Sequence, residues 1–192
     1  MNGYDFQARY ETHHSPPILI NHSTDDEWEW ITFLDLIELL YVSTMRERLP
    51  MPKVRSIAER LHKRTRSRHP LATSQLWLSG VAVYSDVPAL GDEDLASCNL
   101  AFPFIEEWRE TLVFSDKTGE AIEWRPLGAS SIIVLDPTRS FGAPIDQGSG
   151  ITAATLSKAV RVEEDPVVVA SWYGTTTDAV LQADEFVGRF VA

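Results

Sequence analysis

The sequence holds a single cysteine, Cys98, among 192 residues. One thiol forms neither an internal disulfide nor a cysteine-rich zinc site, so the fold must rest on an apolar core. Long apolar runs are also missing. None approaches the roughly 20 residues that span a bilayer, and the polar start Met1, Asn2, Gly3, Tyr4, Asp5 lacks a basic stretch followed by an apolar one. These absences place the chain in the cytoplasm, away from membranes. Positive charge is scarce: 17 Lys and Arg stand against 28 Asp and Glu, a net charge of −11. A protein whose whole surface attracts phosphate is thereby excluded.

Catalytic patterns are absent as well. There is no nucleophile elbow and no His-Glu-x-x-His, so the reading is of a non-enzyme without cofactor. Gly148, Ser149 and Gly150 have Asp146 beside them and no Lys-Ser or Lys-Thr behind them, which suits a simple turn better than a phosphate loop. His13 and His14 are adjacent, so on extended chain their side chains point apart, and they read as a surface pair in a turn with Ser15, Pro16 and Pro17 rather than as metal ligands. No metal is expected.

What is present is concentrated at two places. The first is a basic segment, in which Arg46 to Arg68 carries nine of the 17 cations against Glu47 and Glu59. A helix is predicted from Thr32, with Thr32 and Asp35 as a capping pair and Phe33, Leu36, Ile37, Leu40 and Thr44 on one face; Leu34, Leu39, Val42 and Met45 widen the apolar surface, so the helix should be buried on more than one side. A second begins near Pro52, with Val54, Ile57, Ala58 and Leu61 inward, and is closed by Pro70. Lys53, Arg60 and Arg64 share a stripe beside that inward face. With Arg55, Lys63, Arg66 and Arg68 they form the candidate DNA-binding set, and a solvated flank is the alternative.

The second place is the C-terminus. Ala170 is small where a second helix would cross, Gly174 suits a turn with positive φ, and Val180 follows at helix-turn-helix spacing. Thr176 or Thr177 caps the next helix, whose apolar face reads as Ala179, Ala183, Phe186, Val187 and Phe190. Glu163, Glu164 and Asp165 are expected at the start of this element, where exposed helix N–H groups favour acids.

Between them lies strand character. Leu76 to Leu78 and Val81 to Tyr84 read as one hairpin. Thr111 to Phe114 and Ala121 to Trp124 read as a stronger one, with Gly119 in the turn. Ile132 to Leu135 reads as a buried strand stopped by Asp136 and Pro137. Trp77, Trp108 and Trp124 suit the core of a small sheet better than a stacking platform for bases.

Asp136-Pro137, Phe141 to Ile145, Ser149 to Thr152, Val169-Ala170, Tyr173-Gly174, Val180 and Phe186 together resemble domain-of-unknown-function family 433. Ser15 to Leu19, Phe33 to Glu38, the Pro52 helix, His69 to Ala72 and Trp124 to Pro126 resemble the larger VapB-type antitoxins that carry it. The resemblance implies an α+β chain in three parts: a helical MerR-like or winged-helix-like N-terminal part over 1–72, a small antiparallel β-rich part over 73–128, and a three-helix helix-turn-helix domain over 129–192. It further implies an antitoxin that neutralises a PIN-type ribonuclease toxin, binds operator DNA and pairs with a second copy of itself.

Two departures qualify that picture. From Asp146 to Ala192 seven acids face Lys158, Arg161 and Arg189, so the C-terminal helices read as a protein-binding unit, with Phe186, Val187 and Phe190 as anchors. The chain also begins where a winged-helix start should already have ended, and a missing reader helix is expected. The runner-up readings are an interaction adaptor without DNA binding and, further behind, an enzyme with an unrecognised site.

Overall fold

The computed structural model describes residues 4–8, 11–15, 31–47, 49–65, 67–74 and 108–191. The hairpin expected at Leu76 to Tyr84 lies outside them, as do Trp77, Cys98, Arg66 and most of the segment 73–128. Two compact units are formed, one of Met1–Glu106 with Lys117–Glu120, the other of Glu107–Asp116 with Ala121–Ala192. Helices and short antiparallel pairs make the chain α+β. Among the described residues no helix is long and apolar enough to cross a membrane.

In the first unit β1 (Tyr4–Ala8) pairs antiparallel with β2 (Glu11–Ser15), setting Asp5 opposite His14 and Phe6 opposite His13. The two histidines therefore stand on a strand, not in a turn. The pairing runs through both histidines as far as Ser15.

Helix α1 (Phe33–Arg46) opens with the expected capping box: the Asp35 amide donates to Thr32 Oγ1 at 3.2 Å, and the Thr32 amide donates to Asp35 Oδ2 at 2.9 Å. Its fully buried face matches the expected one in part. Of Phe33, Leu36, Ile37, Leu40 and Thr44 only Ile37 is buried; Val42 and Met45 of the widened apolar surface are buried with it, and Asp35, Glu38 and Tyr41 complete the face. Two carboxylates on this face disguise it as surface in a reading by hydrophobic period. Both find partners inside, so burial is tolerated.

Helix α2 (Met51–Thr65) buries Val54, Ile57 and Leu61, with Ala58 half-buried, as its period predicts. It ends at Thr65, ahead of Pro70. That proline instead opens a buried 3-10 turn, Pro70–Ala72, which packs against both α1 and α2. Thr73 bridges Glu120, and the Ser74 amide donates to the Gly119 carbonyl at 2.7 Å.

In the second unit β3 (Leu112–Phe114) and β4 (Ala121–Trp124) form the expected hairpin, with Gly119 at φ +70°. β5 (Ile133–Val134) pairs with β6 (Ile145–Asp146), and Leu135 bridges Trp124. The half-buried Trp108 stacks on the buried Trp124 at 5.7 Å, so these indoles are engaged with each other in packing. Three helices follow: α3 (Ala153–Glu163), α4 (Pro166–Tyr173) and α5 (Thr177–Phe190), capped by the side chains of Thr152, Asp165 and Thr176. Of the acidic run only Asp165 serves the α4 N-terminus, accepting from the Val167 and Val168 amides. Glu163 ends α3, and Glu164 takes a left-handed φ of 61° to let the chain turn between helices.

The core joins Ile133, Val134 and Ile145 to Leu156, Val169, Ala179, Val180 and Ala183. Two side chains of α5 fasten it to its neighbours. Gln182 Oε1 accepts the Ile132 amide at 2.8 Å. Asp184 accepts from Ser157 Oγ at 2.8 Å and from Arg161 Nε at 2.7 Å, and these donors hold its carboxyl below the usual range although burial pushes the other way.

Candidate partner-binding surface

Residues 174–176 join α4 to α5. Gly174 sits at φ 62°, ψ 36°, and its amide and that of Thr175 both donate to the Ala170 carbonyl. This is the left-handed ending that leaves two donors for orphan carbonyls of a helix C-terminus. Ala170 and Val180 are buried, as the spacing predicts.

The turn is also held from the sheet. Asp146, 2% exposed, accepts from the amides of Gly148 and Ser149 at 3.1 and 3.0 Å, from the Ser149 hydroxyl, and from Thr175 Oγ1 at 2.6 Å. Burial pushes its carboxyl up, but the Ser149 and Thr175 hydroxyls and the two amides outweigh this and hold it below the ordinary carboxylate range. The glycine-rich stretch at 148–150 is therefore a turn wrapped round a carboxylate.

With one face of each helix consumed, the outward faces are defined. On α4, Val167, Val168, Ser171 and Trp172 follow one another at helical spacing; Val167 is 63% and Trp172 61% exposed. On α5 the outward positions are Asp178, Leu181, Glu185 and Arg189. One helix thus shows water an apolar face, and the next shows one with two acids to one cation. Phe141 is fully exposed at φ 55°, within the 3-10 turn Ser140–Gly142. A bulky residue at positive φ is uncommon and costs backbone strain.

The three expected anchors divide. Phe186 is buried, Val187 half-buried, and Phe190 46% exposed. Phe186 belongs to the core, and its ring packs on Phe190 at 5.1 Å, while Phe190 in turn meets Trp124 edge-on at 6.4 Å. Val167, Trp172 and Phe141 escape a reading of the sequence because burial, not periodicity, distinguishes them. A helix as uniformly apolar as Pro166–Tyr173 gives no face to choose from.

In the first unit, Lys53, Arg55, Arg60, Lys63 and Arg64 lie on α2, and Arg68 lies beyond its end. Lys53 and Arg55 are half-buried, and Lys63 and Arg68 are exposed. Helical spacing keeps positions 53, 60 and 64 on one flank of the Val54, Ile57 and Leu61 face.

No known family model matches the sequence. The chain is distantly similar to an antitoxin. The relative is a Mycobacterium tuberculosis protein described as "Putative antitoxin VapB45", 25% identical over 167 residues, 80% of this chain and 70% of that one. The uncharacterized protein Rv2308 of the same organism is 26% identical over 99% of this chain and 82% of its own length. The crystal structure of Rv2018, also from Mycobacterium tuberculosis, shares the fold with a TM-score of 0.64 at 24% identity, covering 79% of this chain and 77% of that one.

Proposed function

We propose that this chain is an antitoxin-like, non-catalytic regulator that neutralises a PIN-type ribonuclease toxin through the outward faces of α4 and α5. The observation that carries the reading is the similarity to an antitoxin across four fifths of the chain. The apolar line Val167, Val168 and Trp172 supplies desolvated contact area, and Asp178 and Glu185 match a nuclease that must present cations to RNA. The same acids argue against α5 as a reader of DNA, since phosphate would be repelled.

Operator binding in this reading falls to α2, with its flank of Lys53, Arg60 and Arg64 spaced to follow a phosphate backbone. Such contacts position a protein without reading bases, so binding is weak, salt-sensitive and nearly blind to sequence. A second copy of the chain would add affinity by engaging two half-sites. The adaptor reading, with no DNA binding, draws on the net charge of −11.

The test is co-expression with a PIN-type ribonuclease, taken from any nuclease gene that adjoins this one. Co-purification with loss of RNA cleavage is the expected result. A nuclease that stays fully active at saturating chain would sink the antitoxin reading.

A further inference from the structure

Asp35, Glu38 and His69 turn one polar atom each toward a common point in the first unit. His69 Nδ1 lies 3.5 Å from Asp35 Oδ1 and 3.4 Å from Glu38 Oε2, and one ligand atom from each residue falls within 4.8 Å of the others. All three residues are buried, with Glu38 3% and Asp35 8% exposed. None of this is visible in sequence, where His69 stands 31 residues from Glu38.

The remaining atoms of the group are tied in place. Asp35 Oδ2 accepts from the amide and the hydroxyl of Thr32, Glu38 Oε1 accepts the Leu71 amide at 3.0 Å, and the His69 amide donates to Ser67 Oγ at 3.0 Å. Each carboxylate thus has one oxygen tethered and the other aimed at the common point, as outer-shell bonds orient metal ligands. Asp35 Oδ1 is a buried oxygen with no hydrogen-bond partner among the described residues. A native protein leaves such an atom unsatisfied only for a reason, and an ion is one of the few.

Charge leads to the same place. A proton on the imidazole cancels one of the two buried carboxylates, whereas a divalent cation cancels both and uses two oxygens and a neutral nitrogen as its donors. Ligands at about 2.0–2.1 Å round a tetrahedral zinc stand about 3.3 Å apart; the two separations from His69 Nδ1, 3.4 and 3.5 Å, are compatible with that, and the third lies within 4.8 Å. Calcium takes six to eight oxygens in a wider shell and does not suit an imidazole.

We propose that Asp35, Glu38 and His69 form a zinc-binding site that fastens α1 to the segment entering the Pro70–Ala72 turn. Three protein donors leave the fourth tetrahedral position to water, and the site stands apart from the antitoxin reading, since it concerns neither α4 nor α5.

The experiment uses the full chain, stripped with EDTA and titrated with zinc sulfate, with stoichiometry read by elemental analysis and stability by thermal melt. About one zinc per chain, a raised Tm, and the visible bands of tetrahedral cobalt on Co²⁺ substitution are expected. His69→Gln and Glu38→Gln should each lose stoichiometric binding. Because these buried variants could fail to fold, a second chain carries His13→Gln, His14→Gln, His22→Gln, His62→Gln and Cys98→Ser, which leaves His69 as the one imidazole and no thiol. That chain should retain the zinc and the cobalt bands. Absence of stoichiometric zinc from the parent, retention of zinc by folded His69→Gln, or loss of zinc from the five-site variant would each overturn the proposal.

Discussion

Thr175, in the turn between α4 and α5, donates its hydroxyl to Asp146 of β6 across 2.6 Å. Two parts of the chain 29 residues apart are thereby held by a part-buried charge-assisted bond. The carboxylate also orders its own turn through Gly148 and Ser149. Replacing Asp146 by Asn keeps the shape but removes the charge and turns an amide group toward backbone donors. Asp146→Asn should cost about 1–3 kcal/mol of stability, and Thr175→Val about 1 kcal/mol. Urea denaturation at pH 7 measures both, and an unchanged midpoint for Asp146→Asn would remove this carboxylate from the account of the turn.

The same carboxyl sets a pH dependence. Its folded-state pKa is depressed, so its contribution is fully present above the unfolded value of about 3.9 and is lost as pH falls through the lower folded value. Stability of the parent should therefore decline below about pH 5, most steeply under pH 4. The difference between parent and Asp146→Asn should shrink over that window, as urea midpoints taken from pH 7 to pH 3 will reveal. A difference that stays constant would show that the bonds do not depend on ionisation.

Gly174 has no heavy atom within 4 Å of where a Cβ would stand, yet its φ is +62°. Space is available and conformation is not. Gly174→Val should cost on the order of 1–3 kcal/mol, and Gly174→Asn clearly less, because Asn tolerates the left-handed region. Equal melting temperatures for the two variants would mean that φ does not govern the position.

The outward face of α4 separates binding from folding. Trp172→Ala and Val167→Ser should weaken association with the ribonuclease by about 1 kcal/mol or more each, roughly fivefold or greater, while leaving Tm nearly unchanged. Phe186→Ala should do the reverse, with a loss of about 3–5 kcal/mol in stability. Calorimetric titration beside a thermal melt distinguishes them. Full affinity in Trp172→Ala would move the contact off α4.

For DNA, changing Lys53, Arg60 and Arg64 together to Gln should reduce binding on every sequence alike. The slope of log affinity against log salt should flatten by about one for each phosphate that is no longer neutralised. If affinity and slope were both unaltered, α2 would not face the DNA.

Where the sequence carries local rules, it can be read. The Thr32–Asp35 box, the α2 period, Gly119 in its hairpin and Gly174 after Ala170 all depend on residues within one or two turns of each other. Where burial depends on a distant partner, the reading fails. Asp35 and Glu38 make the inner face of α1 look like surface because the group that receives them is His69. Phe186 and Phe190 share a helical stripe, but Phe190 is divided between Phe186, Trp124 and water, which no period reveals. His13 and His14 look like turn residues beside their prolines, and only the pairing with Asp5 and Phe6 sets them on a strand.

Helix α4 has eight residues, bounded by left-handed Glu164 and the extended cap Asp165 on one side and left-handed Gly174 on the other. A helix so short is far below the length that persists alone in water, so its amides remain protected only while Val169 and Ala170 stay docked. Hydrogen exchange along these residues should consequently report a single cooperative opening rather than gradual fraying from either end. A ligand resting on Val167 and Trp172 would be visible as slowed exchange across the whole segment, well beyond the side chains it touches.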